Sequence, residues 1–140
     1  MSALDLIRRY YAACSSGDAE GVAACCTDDV VHYFLAPNVG SAPVEGAEHL
    51  GRYWRKVHGM IGAEWLVDHG IEVDGEAVIE WSMHWRNAGG EGVVTRGAEW
   101  FVVREERIAE IRSYYRQEQA DSELDGFPYD ARGYPPKSRT

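Results

Sequence analysis

Glu99 is the carboxylate that interrupts an otherwise apolar, inward-facing strand pattern in this sequence. Through the stretch RGAEWFVVREERIAEIRSYY, alternation puts Val93, Thr95, Gly97, Glu99, Phe101 and Val103 on one face. After a charged turn, Ala109, Ile111, Ser113 and Tyr115 share that face on the returning strand. A carboxylate in such surroundings must be paired, neutral or in use, because desolvating its charge is costly. Neutralised by burial, Glu99 would donate a hydrogen bond to a developing oxyanion. An ion pair with an arginine such as Arg112 is the competing arrangement. His32 follows Val30 and Val31 and shares the face of Phe34. A neutral imidazole inside a cavity suits general-base work near neutral pH. A core histidine bonded to a backbone carbonyl is the alternative. Asp68 is expected to face the cavity opposite Trp81, where it would orient His32 or act as the base itself. At the mouth it would simply be solvated.

The elements that must position these groups follow from periodicity. Residues 3–15 predict a helix with Ile7, Tyr10, Tyr11 and Cys14 on one stripe. Gly17 ends it and Asp18 caps a second helix over 19–26. Residues 30–35 are β-branched and aromatic and predict a strand, and 36–44 predict a loop. A third helix over 47–60 presents Leu50, Tyr53, Trp54 and Val57. From Ala63 the period becomes two, and Asp74–Gly75 marks a two-residue hairpin turn. That turn sets Val73 against Glu76, Ile71 against Val78 and Asp68 against Trp81. Leu66, Asp68, Gly70, Ile79, Trp81, Met83 and Trp85 then face inward, with Trp65, Val67, His69 and His84 outward. The predicted fold is α+β, a cone-shaped, curved antiparallel β-sheet with three N-terminal helices enclosing a cavity. Residues 1–116 form that domain, and 117–140 an extension packing on the body or on a partner subunit.

The composition narrows the function classes. With 140 residues and 45% hydrophobic, the chain suits one domain with a real core. A net charge of -9 disfavours nucleic acid and anionic membrane surfaces as partners. No apolar run reaches the roughly 20 residues of a membrane span. Three cysteines lack zinc-ligand spacing, sit in predicted helices and read as small core residues, so neither a metal nor a cofactor is expected and the location expected is cytoplasmic. Five Trp, eight Tyr and three Phe would line a cavity or fill a core and a subunit interface. Phe34, Trp54, Leu66, Trp81, Met83, Trp85, Phe101, Ile111 and Tyr115 are the expected wall of a site for a small hydrophobic ligand. The opposite sheet face, with Trp65, Ile71, Val94, Trp100 and Val102, is broad and apolar, and a homodimer through it is expected.

The element order, with DDVVHYF, VDGEAVIEW and RGAEWFVVREERIAEI, resembles the nuclear-transport-factor-2-like superfamily, in its SnoaL-like and ketosteroid-isomerase-like branch. The resemblance spans about residues 4–115 and is more specific for fold than for reaction. In the ketosteroid isomerase pattern, Tyr10 falls at the oxyanion-hole tyrosine and Glu99 at the protonated aspartic acid. The general-base aspartate falls on Phe34, two residues beyond His32, so the usual base is missing. The positions of a limonene-epoxide-hydrolase-like Asp-Arg-Asp set carry Asp68, Gly70 and Ser113, which excludes that chemistry. Dehydratase-like members pair a histidine with a carboxylate, and this chain offers both at other positions. The resemblance implies a lyase or isomerase: a dehydratase, polyketide cyclase or double-bond isomerase acting by proton transfer on a hydrophobic carbonyl compound. His32 or Asp68 would take the proton, and Tyr10 with Glu99 would hold the enolate. A non-catalytic hydrophobic-ligand-binding protein is the alternative, and a dimeric adaptor using the sheet face a third.

Overall fold

The computed structural model of the chain describes residues 1–38 and 41–137. Positions 39–40 of the expected loop and 138–140 of the expected extension lie outside the described residues. Helices α1 (Ala3–Ser16), α2 (Ala19–Ala24) and α3 (Ala47–Ile61) pack on one face of a curved, unclosed sheet. Its strands are β1 (Cys26–Phe34), β2 (Val44–Glu45), β3 (Glu64–Val73), β4 (Glu76–Arg86), β5 (Gly92–Arg104) and β6 (Arg107–Tyr114). Their spatial order is β2-β1-β6-β5-β4-β3, with β1 parallel to β6 and the other pairings antiparallel. This is the α+β cone.

Local chemistry sets the boundaries. Ser2 caps α1 by accepting the amide of Asp5, and Gly17 closes it in the left-handed conformation. Asp18 accepts the amide of Gly21 to start α2. That helix stops earlier than the sequence suggests, so Cys25 is its C-cap and Cys26 opens β1. All three cysteines are buried, unpaired thiols. Leu6, Ile7, Tyr10, Leu50 and Trp54 meet Ile79, Trp81, Phe101, Ile108 and Ile111 across the core.

One expected register is wrong. The Asp74–Gly75 turn pairs Val73 with Glu76 and Ile71 with Val78, but Val67, not Asp68, lies opposite Trp81. A β-bulge between Val67 and His69 absorbs Asp68 as an extra residue and reverses the faces of the strand's first half. Trp65 therefore points inward and is buried, while Leu66 is 46% exposed. Asp68 turns outward and accepts a 2.6 Å hydrogen bond from Ser82.

The outer sheet face is partly covered by the chain's own C-terminal segment. Ser122 bridges to Thr95 beside β5, and the amide of Val94 donates to Asp121, which buries Val94. Arg96 is the anchor: it donates to Glu123, Ser82 and the carbonyl of Pro135, and lies 4.2 Å from the ring centre of Tyr129. Phe127, Tyr129 and Tyr134 interlock edge to face, and Tyr134 donates to Glu80. His84 meets the carbonyl of Pro136 at 3.0 Å. The segment lies behind the sheet, away from the helices. Replacing Arg96 with Ala removes this common anchor. Amide exchange at Ser122 and Tyr134 is expected to accelerate at least tenfold, about 1.4 kcal/mol of local stability, with exchange in α1 and β6 unchanged.

Candidate functional site

Strand register brings the reactive side chains together. Glu99 on β5 lies opposite Ser113 on β6, and Phe34 of β1 is level with Ser113 on its other side. Inward residues directly opposite in an antiparallel ladder sit about 5 Å apart at Cβ. Two residues before Phe34 on the same face, His32 meets the Ser113 hydroxyl at 2.5 Å through Nε2. Its ring stacks on Phe34 at 4.2 Å between centroids. The nearest carboxylate oxygen of Glu99 is 3.7 Å from the same Nε2. Over this floor α1 lowers Tyr11, whose hydroxyl donates to the other oxygen, Oε1.

Above the floor opens a cavity of about 150 Å³. Its walls are Tyr53, Trp54, Val57, Met60 and Ile61 from α3, Trp65, Trp81 and Met83 from the sheet, and Tyr115 with Gln117 after β6. Glu99 and Ser113 are its polar floor. Gly97 makes room for one wall, since a Cβ there would lie 2.8 Å from the Trp81 ring and 2.8 Å from Tyr115 Cβ. A larger groove of about 910 Å³ lies between the N-terminus and the strand turns. Its charged residues Arg9, Glu72, Asp74, Glu105, Glu106 and Arg107 are all solvent-exposed, so water screens them.

Burial sets the charge states. Glu99, 3% exposed, is pushed up to about 7 by desolvation, against the Tyr11 hydrogen bond and the nearby Ser113 hydroxyl and Trp81 indole, which favour the anion. Desolvation alone drives His32 down to about 3, so its imidazole is neutral at physiological pH. Burial likewise holds the hydroxyls of Tyr10 and Tyr11 well above their usual range. Among the described residues, Glu99 Oε2, the indole Nε1 of Trp81 and Nδ1 of His32 are buried without a hydrogen-bond partner. A buried, unpaired polar atom costs stability, and two of these three belong to residues lining the cavity.

The expected site residues divide. Glu99, Trp54, Trp81, Met83 and Tyr115 line the cavity, and His32 stands directly behind Ser113. Tyr10 is buried beside them, but its hydroxyl accepts from Trp54 Nε1 at 2.7 Å, and Tyr11 is the residue bonded to Glu99. Phe34, Phe101 and Ile111 are core residues beneath the floor rather than wall. Trp85 is beyond the cavity's end, with its indole donating to Thr95. Asp68 and Leu66 are on the wrong side of the sheet because of the bulge. Asp68 lines a separate polar space under the C-terminal segment with Glu80 and Arg96, where burial raises its pKa. Among the described residues no arginine pairs with Glu99, and Arg112 pairs with Glu110 instead. Sequence reasoning missed Tyr11, Ser113 and Trp65 as site residues. Alternation had already put Ser113 inward, level with the cavity. Among the described residues, no group of three or more His, Cys, Asp or Glu side chains could hold a metal ion.

Such a molecule is, by class, an α+β cone enclosing a small aromatic cavity with an acid at its floor. Residues 7–111 match the model of the SnoaL-like domain, and the chain belongs to that family. No curated protein matches the sequence. A solved protein of unknown function with a cystatin-like fold from Methylobium petroleophilum PM1 is 31% identical, with a TM-score of 0.71 over 98% of this chain and 93% of its own. A Catenulispora acidiphila protein with a ketosteroid isomerase-like fold, in complex with trimethylamine, has a TM-score of 0.75 at 15% identity, covering 85% and 91% of the two chains. A putative polyketide cyclase from Xanthomonas campestris has a TM-score of 0.68 at 21% identity, covering 81% and 90%.

The two shifted groups tilt stability in opposite directions with pH. Between about 4.5 and 7 the folded chain keeps a proton on Glu99 that the unfolded chain releases, so this group lowers stability as pH rises. Between about 6.5 and 3 the unfolded chain protonates His32 and the folded chain does not, so this group lowers stability as pH falls. Replacing Glu99 with Gln is expected to remove the loss on the alkaline side, and replacing His32 with Phe the loss on the acid side. Urea unfolding from pH 4 to 8 measures both.

Proposed function

We propose that the protein is a cofactor-independent enzyme of the lyase or isomerase type that moves a proton on a small hydrophobic carbonyl compound. Dehydration, ring closure and double-bond migration all pass through the enolate that such a step creates. The observation that carries this reading is Glu99: it lines the cavity, keeps one oxygen free, and ionises near neutrality. A general acid–base group works best when its pKa lies near the operating pH. Oε2 takes the proton beside the carbonyl while Tyr11 holds Oε1. Trp81 Nε1, buried and without a partner, is a donor for the oxygen on which enolate charge develops. His32 shares a hydrogen bond with Ser113 through Nε2 and stays neutral, which keeps a second charge away from the site. Asp68 has no part in this step. The fold shared with a putative polyketide cyclase supports the direction of the reading.

A second reading is a non-catalytic binding protein for a hydrophobic ligand. The predominantly aromatic and aliphatic lining favours it. Deuterium incorporation beside the carbonyl of small cyclic ketones, followed by NMR in D2O, separates the two. An enzyme accelerates the exchange, and Glu99→Gln is expected to slow it by ~10²–10⁴-fold. Binding of the ketones without accelerated exchange would establish the second reading instead.

The protein acts, in this proposal, as a cytoplasmic homodimer, with Cys14, Cys25 and Cys26 kept reduced. The C-terminal segment leaves Ile71, Val73, Trp100 and Tyr114 exposed on the outer sheet face, at 60%, 67%, 38% and 51%. A second copy would cover them. Trp100→Glu puts a charge at the centre of that contact and is expected to shift sedimentation at micromolar concentration from dimer to monomer. Wild-type protein sedimenting as a monomer would refute the dimer.

A further inference from the structure

Five aromatic side chains, Tyr53, Trp54, Trp65, Trp81 and Tyr115, surround the cavity, and one carboxylate closes its floor. The rings form two packed groups: Trp54 meets Tyr53 edge to face at 4.8 Å and Trp65 at 5.1 Å, and Trp81 meets Tyr115 at 5.3 Å. Among the described residues, no lysine, arginine or histidine lines the space. A neutral hydrophobic ligand would be served as well by leucines and phenylalanines, and would leave Glu99 Oε2 without a partner. An aromatic enclosure with one free buried carboxylate oxygen is instead complementary to positive charge, since ring faces and carboxylate both attract a cation.

We infer that this cavity also binds small alkylated ammonium cations, with the aromatic rings as the cage and the Glu99 carboxylate as counter-ion. The inference uses the cavity of the proton-transfer reading but not its reaction, so the two are tested separately. Alkylation follows from the polar inventory. A primary ammonium brings three N–H donors that lose water on entry, and at the floor only Glu99 and the Ser113 hydroxyl already bonded to His32 could replace it, the other acceptors, Gln117 and the hydroxyls of Tyr53 and Tyr115, belonging to the walls. A tertiary or quaternary ammonium has one donor or none, and its methyl groups match the rings. The volume, equal to roughly five liquid waters, admits a headgroup and a short chain.

Charge recognition is gated by Glu99. The titratable groups packed around it are Tyr10, Tyr11 and Cys14 from α1, His32 from β1 and Tyr115 beyond β6. Burial holds both tyrosines of α1, Cys14 and Tyr115 above their usual ranges and His32 down at about 3. All five stay neutral between pH 6 and 8, and Glu99 alone changes charge.

The test compares choline with 3,3-dimethylbutan-1-ol, its uncharged carbon isostere, by quenching of tryptophan fluorescence and by calorimetry. At pH 8 choline is expected to bind at least tenfold more tightly. Lowering the pH to 6 should weaken choline about tenfold and leave the alcohol unchanged. Glu99→Gln, of nearly the same shape, should bring the two ligands to parity. Should that variant fold poorly, Tyr115→Leu at the half-buried rim should weaken choline severalfold and the alcohol less. Choline binding no tighter than the alcohol, or equally tight in Glu99→Gln, overturns the inference. Ketone exchange that fails while choline discrimination persists removes the proton-transfer reading and leaves this one standing.

Discussion

The site depends on the cost of placing a carboxyl group where water does not reach it. Glu99 has one strong partner, the hydroxyl of Tyr11, and none for its second oxygen. A fully satisfied carboxylate would be inert and fully ionised. A carboxyl with no partner would stay protonated throughout the physiological range. The Tyr11 donor, supplied by a helix that is itself anchored in the core, does most to offset desolvation, with the Ser113 hydroxyl and the Trp81 indole adding to it, so that the group sits near neutrality. The arrangement ties α1 to β5: moving the helix would change the acidity of the strand residue.

The neighbouring histidine shows the opposite outcome of the same physics. Its ring is stacked on Phe34 and faces a hydroxyl rather than an ionised group at hydrogen-bonding distance. Burial then favours the uncharged imidazole, and the pair never becomes a strong ion pair although Nε2 and Oε2 are 3.7 Å apart. The floor thus holds two titratable side chains, of which one changes charge in the useful range.

Much of this was legible in the order of residues. Alternation along β5 and β6 singled out Glu99, and the Asp74–Gly75 turn located the hairpin at the sheet's edge correctly. The three helices and the cone followed from a change of period from 3.6 to 2. The losses are equally specific. Nothing local marks the bulge, since Asp68 is not a glycine and its neighbours continue a plausible strand, so half of β3 was assigned to the wrong face. Tyr10 and Tyr11 are adjacent on a helix and both face the core, and only the tilt of α1 on the sheet decides which reaches Glu99. The closeness of Ser113 to His32 comes from a parallel pairing between strands 81 residues apart in sequence. Alternation within a strand carries no information about such a partner. The C-terminal segment was recognisable as ordered from its aromatic residues, but its berth depended on Arg96 finding acceptors from both the sheet and the segment itself.

The bulge has a further consequence, for shape. Ten residues of β3, Glu64 to Val73, run against nine of β4, Glu76 to His84. Two ribbons of unequal length fastened along their edges cannot both lie flat, so the longer one bows, as a strip of two metals does when one expands. Here the bowed ribbon forms the rim of the sheet beside α1 and α3, and its inward Trp65 reaches across to Trp54. A single surplus residue, an aspartate tucked behind the sheet against Ser82, thereby helps decide how much empty space the cone encloses.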